Sequence, residues 1–245
     1  MTDEKIIEVD NLVKKFGQFT ANDHLTFSVR KGEILGFLGA NGAGKTTAIK
    51  ILCGISASTS GQVKVAGFNA VKYPERIKQN IGYMSQKFSL YEDLTVKENF
   101  RLFGGIYGLS RKDIRKRTQE LLSRLDLAAY SHRIIHSLPL GWKQKLAFSV
   151  AIMHHPRVVF LDEPTSGVDP VTRRQFWELI YEAAAEGKTI LVTTHYMDEA
   201  EYCDTVMMMA EGKIKAMGKP AELKRQFQVK SVNEMFIQLA RNQNA

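Results

Sequence analysis

The sequence predicts an α/β fold: a mainly parallel sheet, preceded by an N-terminal antiparallel β subdomain and interrupted by an inserted helical subdomain. Three observations carry this. Apolar runs at residues 33–38, 81–84, 158–161 and 189–193 alternate with helical patterns, as strands buried on both faces do. A glycine-rich stretch, Gly39-Ala40-Asn41-Gly42-Ala43-Gly44-Lys45-Thr46-Thr47, lies between the first of these runs and the helical pattern of residues 48–52. From Thr95 to Leu127 the apolar period becomes helical, with Val96, Phe100 and Phe103 on one stripe and Ile114, Leu121, Leu122 and Leu125 on another.

Taken in order, short apolar stretches at residues 6–9, 27–29 and 62–65 are broken by Gly, Asn and Ser, which predicts a small antiparallel sheet. Between the first two lies Phe16-Gly17. An aromatic ring there, shortly before the glycine loop, can stack on a purine base or pack against the protein, and both readings are open. Residues 81–86 read as a core strand ending in Gln86. Thr95, with Glu98 three residues on, makes a capping box at the head of the helical region. A further helix is expected over residues 143–154, where Leu146, Val150 and Met153 share a face. His154-His155 precedes Pro156 without companion ligands at metal spacing and reads as structural. Residues 204–210 and 213–217 predict a hairpin around Glu211-Gly212, and two helical segments near residues 220–227 and 232–241 follow. One domain over 1–245 is expected: a core of about 1–86 and 158–217, a helical subdomain of about 87–157, and C-terminal helices from about 218.

The 245 residues carry a formal net charge of +8, which permits attraction to acidic lipid or nucleic acid. The densest basic stretch, residues 111–117, reads as the wet face of an amphipathic helix. No run of about 18 apolar residues is present, so the chain is not expected to span a membrane. Its start lacks the order of a signal peptide, and Cys53 and Cys203 are far apart, so a reduced, cytoplasmic setting is the expectation.

The glycine loop fits G-x-x-x-x-G-K-[ST] in its required setting. Gly39, Gly42 and Gly44 let successive N–H groups point into one concavity at the positive end of a helix, where a phosphate chain can sit. Lys45 is placed to reach the terminal phosphates, and Thr46 offers a hydroxyl to a hydrated Mg2+. Asp162 and Glu163 follow the strand of residues 158–161 at its carboxyl end, where ligands of parallel sheets bind. Adjacent carboxylates there suggest divided labour: Asp162 holds Mg2+ through water, and Glu163 polarises the attacking water. Thr194 and His195 leave the next strand on the same side.

In these motifs the chain resembles the ATP-binding cassette subunits of ABC transporters, from Ile6 to about Met217. The resemblance implies a P-loop NTPase core. It makes Phe16 the adenine-stacking aromatic, residues 39–47 the Walker A loop, Gln86 the Q-loop glutamine and Mg2+ neighbour, and Glu163 the catalytic glutamate. Asp169 falls in the D-loop, and His195 is the switch histidine. Two cassettes of this family sandwich two ATP molecules, each between one Walker A loop and the other subunit's signature motif, and drive a membrane permease. The runs at residues 161–170 and 194–200 look most like cassettes of bacterial ABC-2 type exporters. That implies a separate permease, a second cassette, and a place at the inner face of the membrane through the permease, with no nucleic acid.

One motif departs from the family. Where the signature usually reads Leu-Ser-Gly-Gly-Gln, this chain has Leu138-Pro139-Leu140-Gly141-Trp142-Lys143-Gln144. Proline replaces the serine and leucine the first glycine, while Gly141 and Gln144 remain. The expected helix runs from about Trp142, with Pro139 in its first turn. Two alternatives stand beside the exporter: a soluble cassette ATPase acting on nucleic acid or the ribosome, for which the +8 charge would be the attraction, and a nucleotide-sensing subunit with weak hydrolysis, motivated by Pro139 and Leu140. The span from Gln86 to Leu138 is too short for the coiled coil of DNA-repair relatives, and ribosome-acting relatives usually join two cassettes.

Overall fold

A computed structural model describes residues 4–86 and 90–241. The chain opens with a long antiparallel hairpin, β1 (Lys5–Phe16) and β2 (Phe19–Arg30), which pairs Phe16 directly with Phe19 at its tip. These strands are far longer than the sequence suggests. Polar residues beyond the expected stretches sit at register shifts: Asn11 and His24 take left-handed backbone (φ 49° and 53°), and the ladder resumes beyond them.

The strand β3 (Ile34–Gly39) then enters a second sheet, and α1 (Lys45–Leu52) follows the glycine loop. Strands β4 (Ser60–Val65) and β5 (Phe68–Asn69) return to the first sheet, ordered β2-β1-β4-β5. The helix α2 (Pro74–Asn80) leads into β6 (Ile81–Met84). Then come α3 (Val96–Ile106), α4 (Arg111–Arg124) and α5 (Leu140–Ile152), followed by β7 (Val158–Asp162), α6 (Pro170–Ala185) and β8 (Thr189–Thr194). A hairpin of β9 (Thr205–Ala210) and β10 (Lys213–Gly218) precedes α7 (Pro220–Gln226) and α8 (Val232–Arg241). The second sheet has the order β10-β9-β3-β8-β7-β6 and is parallel except for β10.

Alternation along the central strands builds the layers. Ile34 and Leu38 of β3, Val159 and Leu161 of β7, and Ile190 and Val192 of β8 enter one core with α3 to α8. Their neighbours Leu35, Phe37, Val158, Phe160 and Leu191 face the other way, into a core shared with α1 and the antiparallel sheet. Among the described residues no helix is long and apolar enough to cross a membrane.

Local signals explain most boundaries. The Thr95–Glu98 capping box forms, with the Thr95 hydroxyl accepting from Glu98 N–H at 3.2 Å and Thr95 N–H donating to Glu98 Oε2 at 2.9 Å. The helix near the altered signature begins at Leu140 rather than Trp142, and Pro139 (φ −57°, ψ 148°) is its cap residue, one position before the first turn. Two helices went unread, α2 and α6. For α6 the signals were present: Asp169 as cap, Pro170 in the first turn, and the buried series Phe176, Trp177, Ile180 and Ala183. Cys53 and Cys203 are buried free thiols whose ionisation burial suppresses.

His154 is structural. Its Nε2–H donates to the Ile81 carbonyl at 2.9 Å, and its ring stacks on Tyr107 with centroids 3.8 Å apart. Burial lowers its pKa to about 4, although the bond to Ile81 pulls the other way. An unfolded histidine takes up its proton near pH 6.5, so between about pH 6.5 and 4 the unfolded chain binds the extra proton and stability falls as pH falls. His154→Gln keeps a donor for Ile81 but cannot titrate. Wild type is therefore expected to lose about 1–3 kcal/mol more than the variant across that window, read from urea midpoints; parallel stability profiles would contradict it.

Candidate active site

The carboxyl ends of β3, β7, β8 and β6 meet on one edge of the parallel sheet. There the loop of residues 39–47 forms a cleft of about 360 Å3 with Phe19, Ala21, Gln86 and Glu163. The loop's glycines divide by role. A Cβ on Gly39 would lie 2.4 Å from the Met209 carbonyl oxygen, and one on Gly44 2.2 Å from that of Ala21. With φ of 152° and 98°, these two exist for the loop's own packing against β9 and β2. A Cβ on Gly42 meets nothing within 4 Å, so Gly42 (φ 81°) is the one that leaves the cleft open to a close ligand.

Lys45 is buried and arches back over the loop, its Nζ donating to the carbonyls of Gly39 at 2.6 Å and Ala40 at 3.0 Å. Burial lowers its pKa, and the carboxylates of Glu163 and Asp162 oppose that shift. The Ala40 carbonyl also accepts from Ala43 N–H at 3.2 Å, which closes the turn. Asn41 and Thr46 are exposed in the cleft, and Thr47 is half-buried beside them. Asn22, which sequence reasoning missed, is fully buried and donates from Nδ2 to the Gly44 carbonyl at 3.1 Å, pinning β2 to the loop.

The adjacent carboxylates are separated by a residue not foreseen, Thr193. Its hydroxyl donates to Asp162 Oδ1 at 2.6 Å and accepts from Glu163 N–H at 2.9 Å. Asp162 is thereby held inside, where burial raises its pKa against the pull of that hydrogen bond. Glu163 turns out through left-handed backbone (φ 50°) to the cleft. There Gln86 Nε2 donates to Glu163 Oε2 at 2.8 Å, and His195 Nδ1 lies 3.2 Å from the same oxygen. Gln86, Glu163 and His195 are thus brought together as expected.

The expected aromatic is less direct. Phe16 and Phe19 are both more than half exposed, and only Phe19 lines the cleft. Phe16 sits across the ladder from Phe19, with Lys14 Nζ 4.9 Å from its ring centroid. A pair of rings therefore marks this end of the cleft, where the sequence reading named one.

The residues expected to serve a second subunit line no part of their own chain's cleft. Leu138 is buried, Leu140 is exposed, and the Pro139 carbonyl accepts from the N–H groups of Trp142 and Lys143. Gly141 packs against α6, where an added Cβ would come within 2.4 Å of Thr172 Cγ2. Gln144 Nε2 donates to the Ser166 carbonyl at 3.0 Å. Asp169 caps α6, its carboxylate accepting from the N–H groups of Val171 and Thr172 and from the Thr172 hydroxyl, and these bonds lower its pKa.

A metal fits this donor set only in one way. Among the described residues no three His, Cys, Asp or Glu side chains cluster as a protein-made cage. Thr46, Gln86 and Asp162 offer hydroxyl, amide and carboxylate oxygens. That suits Mg2+, a hard ion that keeps waters and takes its other ligands from phosphates.

Thr193→Val tests the partition of the carboxylates. It keeps the shape and removes the hydroxyl, leaving buried Asp162 without its donor, so a loss of about 1–3 kcal/mol is expected. An unchanged urea midpoint at neutral pH would show that Asp162 is held otherwise.

The sequence profile of the family described as "ABC transporter" matches residues 22–166. The chain is 48% identical over 223 residues to the Escherichia coli (strain K12) "Probable multidrug ABC transporter ATP-binding protein YbhF", covering 91% of this chain and 39% of that one. It thus spans about two fifths of that relative's length. It is 38% identical to the Ralstonia nicotianae "Nod factor export ATP-binding protein I", covering 89% of this chain and 68% of the relative. Among solved structures it superimposes on an "ATP binding subunit of ABC transporter" with a TM-score of 0.86 at 31% identity, over 96% of this chain and 99% of the other. It also matches cbiO1 of Clostridium perfringens, described as part of the ABC transporter complex cbiONQ, with a TM-score of 0.83 at 28% identity, over 91% of this chain and 92% of the other. Motifs, fold and relatives agree, and the chain belongs to the ABC transporter family as one of its ATP-binding cassettes.

Proposed function

We propose that the chain is the ATP-hydrolysing subunit of an ABC-2 type exporter, working as a pair of cassettes that clasp two Mg-ATP and drive a separate permease. The observation that carries the hydrolytic part is Glu163, turned toward the loop and held there by Gln86 and His195 while Asp162 stays behind on the Thr193 hydroxyl. Two neighbouring carboxylates so separated can do different work. The export part is supported by relatives whose names read multidrug transport, Nod factor export and linearmycin resistance.

In this reading Lys45 leaves the carbonyls of Gly39 and Ala40 for the terminal phosphates, and the N–H groups of residues 42–47 surround the chain of phosphates. Thr46, Gln86 and Asp162 would hold Mg2+, which would supply positive charge to the phosphate oxygens. Glu163 accepts a proton from the attacking water, and His195 orients Glu163 and the reacting phosphate. Phe16 and Phe19 offer the adenine a stacking wall. Residues 138–144 and Asp169 face the nucleotide of the second cassette. The nucleic-acid and ribosome reading gains no support from these relatives, which are transporter subunits.

Lys45→Ala is expected to abolish most Mg-ATP binding, measured by fluorescence of a nucleotide analogue; parental affinity would remove the Walker A role. Glu163→Gln keeps a hydrogen-bonding amide but loses the base. Binding should persist while turnover falls about 100-fold or more, and ATP should hold two cassettes together on a sizing column. A variant that turns over normally would break the assignment.

The altered signature carries a separate expectation. Pro139 has no side chain able to cap α5, and none does. Pro139→Ser with Leu140→Gly supplies a hydroxyl both for the helix cap, worth about 1 kcal/mol, and for a phosphate presented by the partner. A hydrogen bond to a charged group is worth about 1.5–3 kcal/mol, so ATPase activity or ATP-dependent dimerisation should rise. Activity that is unchanged or lower would mean that the loop grips phosphate by another route.

A further inference from the structure

The helices α3 and α4 enclose a second cleft, about 710 Å3 in volume, unconnected with the nucleotide loop. Its rim is cationic. Lys97 and Arg101 stand one turn apart on α3, and Arg111 and Arg115 one turn apart on α4. All four are exposed, and none forms an ion pair among the described residues. Their neighbours behave differently: Arg117 pairs with Glu120 at 2.8 Å, and Arg124 with Glu182 and Glu186 at 2.6 and 2.8 Å. The fold therefore neutralises the other arginines of α4 and leaves those of the cleft bare.

Like charges one turn apart disfavour a helix. Here two such pairs face one concavity, so the arrangement is relieved by an anion lying between them. The floor is apolar. Ile114 and Leu122 are buried there, and the Thr118 hydroxyl is already given to the Ile114 carbonyl at 2.7 Å. The fitting ligand has anionic oxygens at the rim and an apolar body below. On its outer side α3 also exposes Leu102 and Ile106. The size selects further. A helix occupies roughly 400–600 Å3 per turn, so the cleft seats little more than one turn of a partner helix, whereas small-ligand sites run to about 300–1,000 Å3.

We propose that this cleft binds the headgroup of an anionic phospholipid, its phosphate between the four cations and the carbon skeleton of its head alcohol on Ile114 and Leu122, while the acyl chains stay in the bilayer. The proposal rests on the exporter reading only in placing the cassette beside a membrane. A cassette seated this way is oriented by lipid as well as by its permease.

The test uses the purified chain without permease or ATP, mixed with phosphatidylglycerol–phosphatidylcholine vesicles or with phosphatidylcholine alone and separated by flotation. Binding to the anionic vesicles only is expected. Each basic residue near an anionic surface strengthens binding about fivefold, so Lys97→Gln, Arg101→Gln, Arg111→Gln and Arg115→Gln together should weaken it roughly 100-fold or more. A control neutralising Lys5, Lys64, Lys72 and Arg76 changes net charge equally and should stay within severalfold of wild type. Circular dichroism and ATPase rate report folding, and if the quadruple variant is misfolded, Arg111→Gln with Arg115→Gln should still weaken binding about tenfold or more. Equal loss in the control would reduce the effect to the chain's overall +8 charge and overturn the proposal. Glycerol phosphate, a soluble copy of the headgroup, should displace the chain beyond sodium chloride of equal ionic strength, and equal displacement by the two would overturn the proposal. A wild-type chain that ignores the anionic vesicles would overturn it and leave the cleft to an acidic protein segment. Retained ATPase activity in any of these outcomes leaves the exporter reading standing.

Discussion

The site depends on the Thr193 hydroxyl and on the sheet register that delivers it. Asp162 of β7 is paired with Thr193 of β8, and β8 is paired in turn with β3, whose last residue opens the phosphate loop. One buried hydroxyl then performs two opposite tasks, donating to the first carboxylate and accepting from the backbone of the second. A shift of one residue in this parallel pairing would turn Thr193 to the other face of the sheet and leave Asp162 unsatisfied in a low-dielectric interior. The order β9-β3-β8-β7 is accordingly what sets the chemistry at the edge, and the loop is added to it.

A second set of contacts ties that edge to the segment carrying the altered signature. The turn after Glu163 is gripped from both sides. Gln144 of α5 bonds to the Ser166 carbonyl, while the Thr165 hydroxyl donates to the fully buried Glu199 at 2.6 Å. Arg173 of α6 lies 3.6 Å from Glu199 and places its guanidinium over the Tyr196 ring at 3.9 Å, and Tyr196 in turn contacts the His195 ring. His195, the turn after Glu163, and the first turn of α5 are therefore parts of one packed unit around the N-terminus of α6. Gly141 lies against Thr172 in that unit, close enough that an added Cβ would come within 2.4 Å of Thr172 Cγ2.

Much of this was legible in the sequence because it is written locally. The glycine loop, the capping box at Thr95, the β9–β10 hairpin and the carboxylates after β7 are each specified by a few adjacent residues, and each forms as read. What escaped of the site depends on distant partners, whereas α6 was written locally and still went unread. Thr193 is an ordinary strand threonine until β7 is laid beside it, and Asn22 is an ordinary polar residue until β2 crosses the loop at Gly44. Phe19 enters the cleft because a two-residue turn pairs it with Phe16, a relation of register rather than composition. The lengths of β1 and β2 were hidden because polar, left-handed residues interrupt the apolar pattern, yet they only bend the ladder and let it continue.

The glycines show why a motif's spelling underdetermines its physics. Of the three, only Gly42 has open space where a Cβ would stand, and its φ of 81° itself favours glycine. Gly39 and Gly44 are required even with nothing bound, since a Cβ at either would collide with a backbone carbonyl of β9 or β2. Those two strands belong to different sheets. The loop is thus wedged between the sheets, and its shape is fixed by folding before any ligand arrives. That fixed shape leaves Lys45 as the adaptable part, because its present partners are two loop carbonyls that it can exchange for phosphate oxygens of stronger charge.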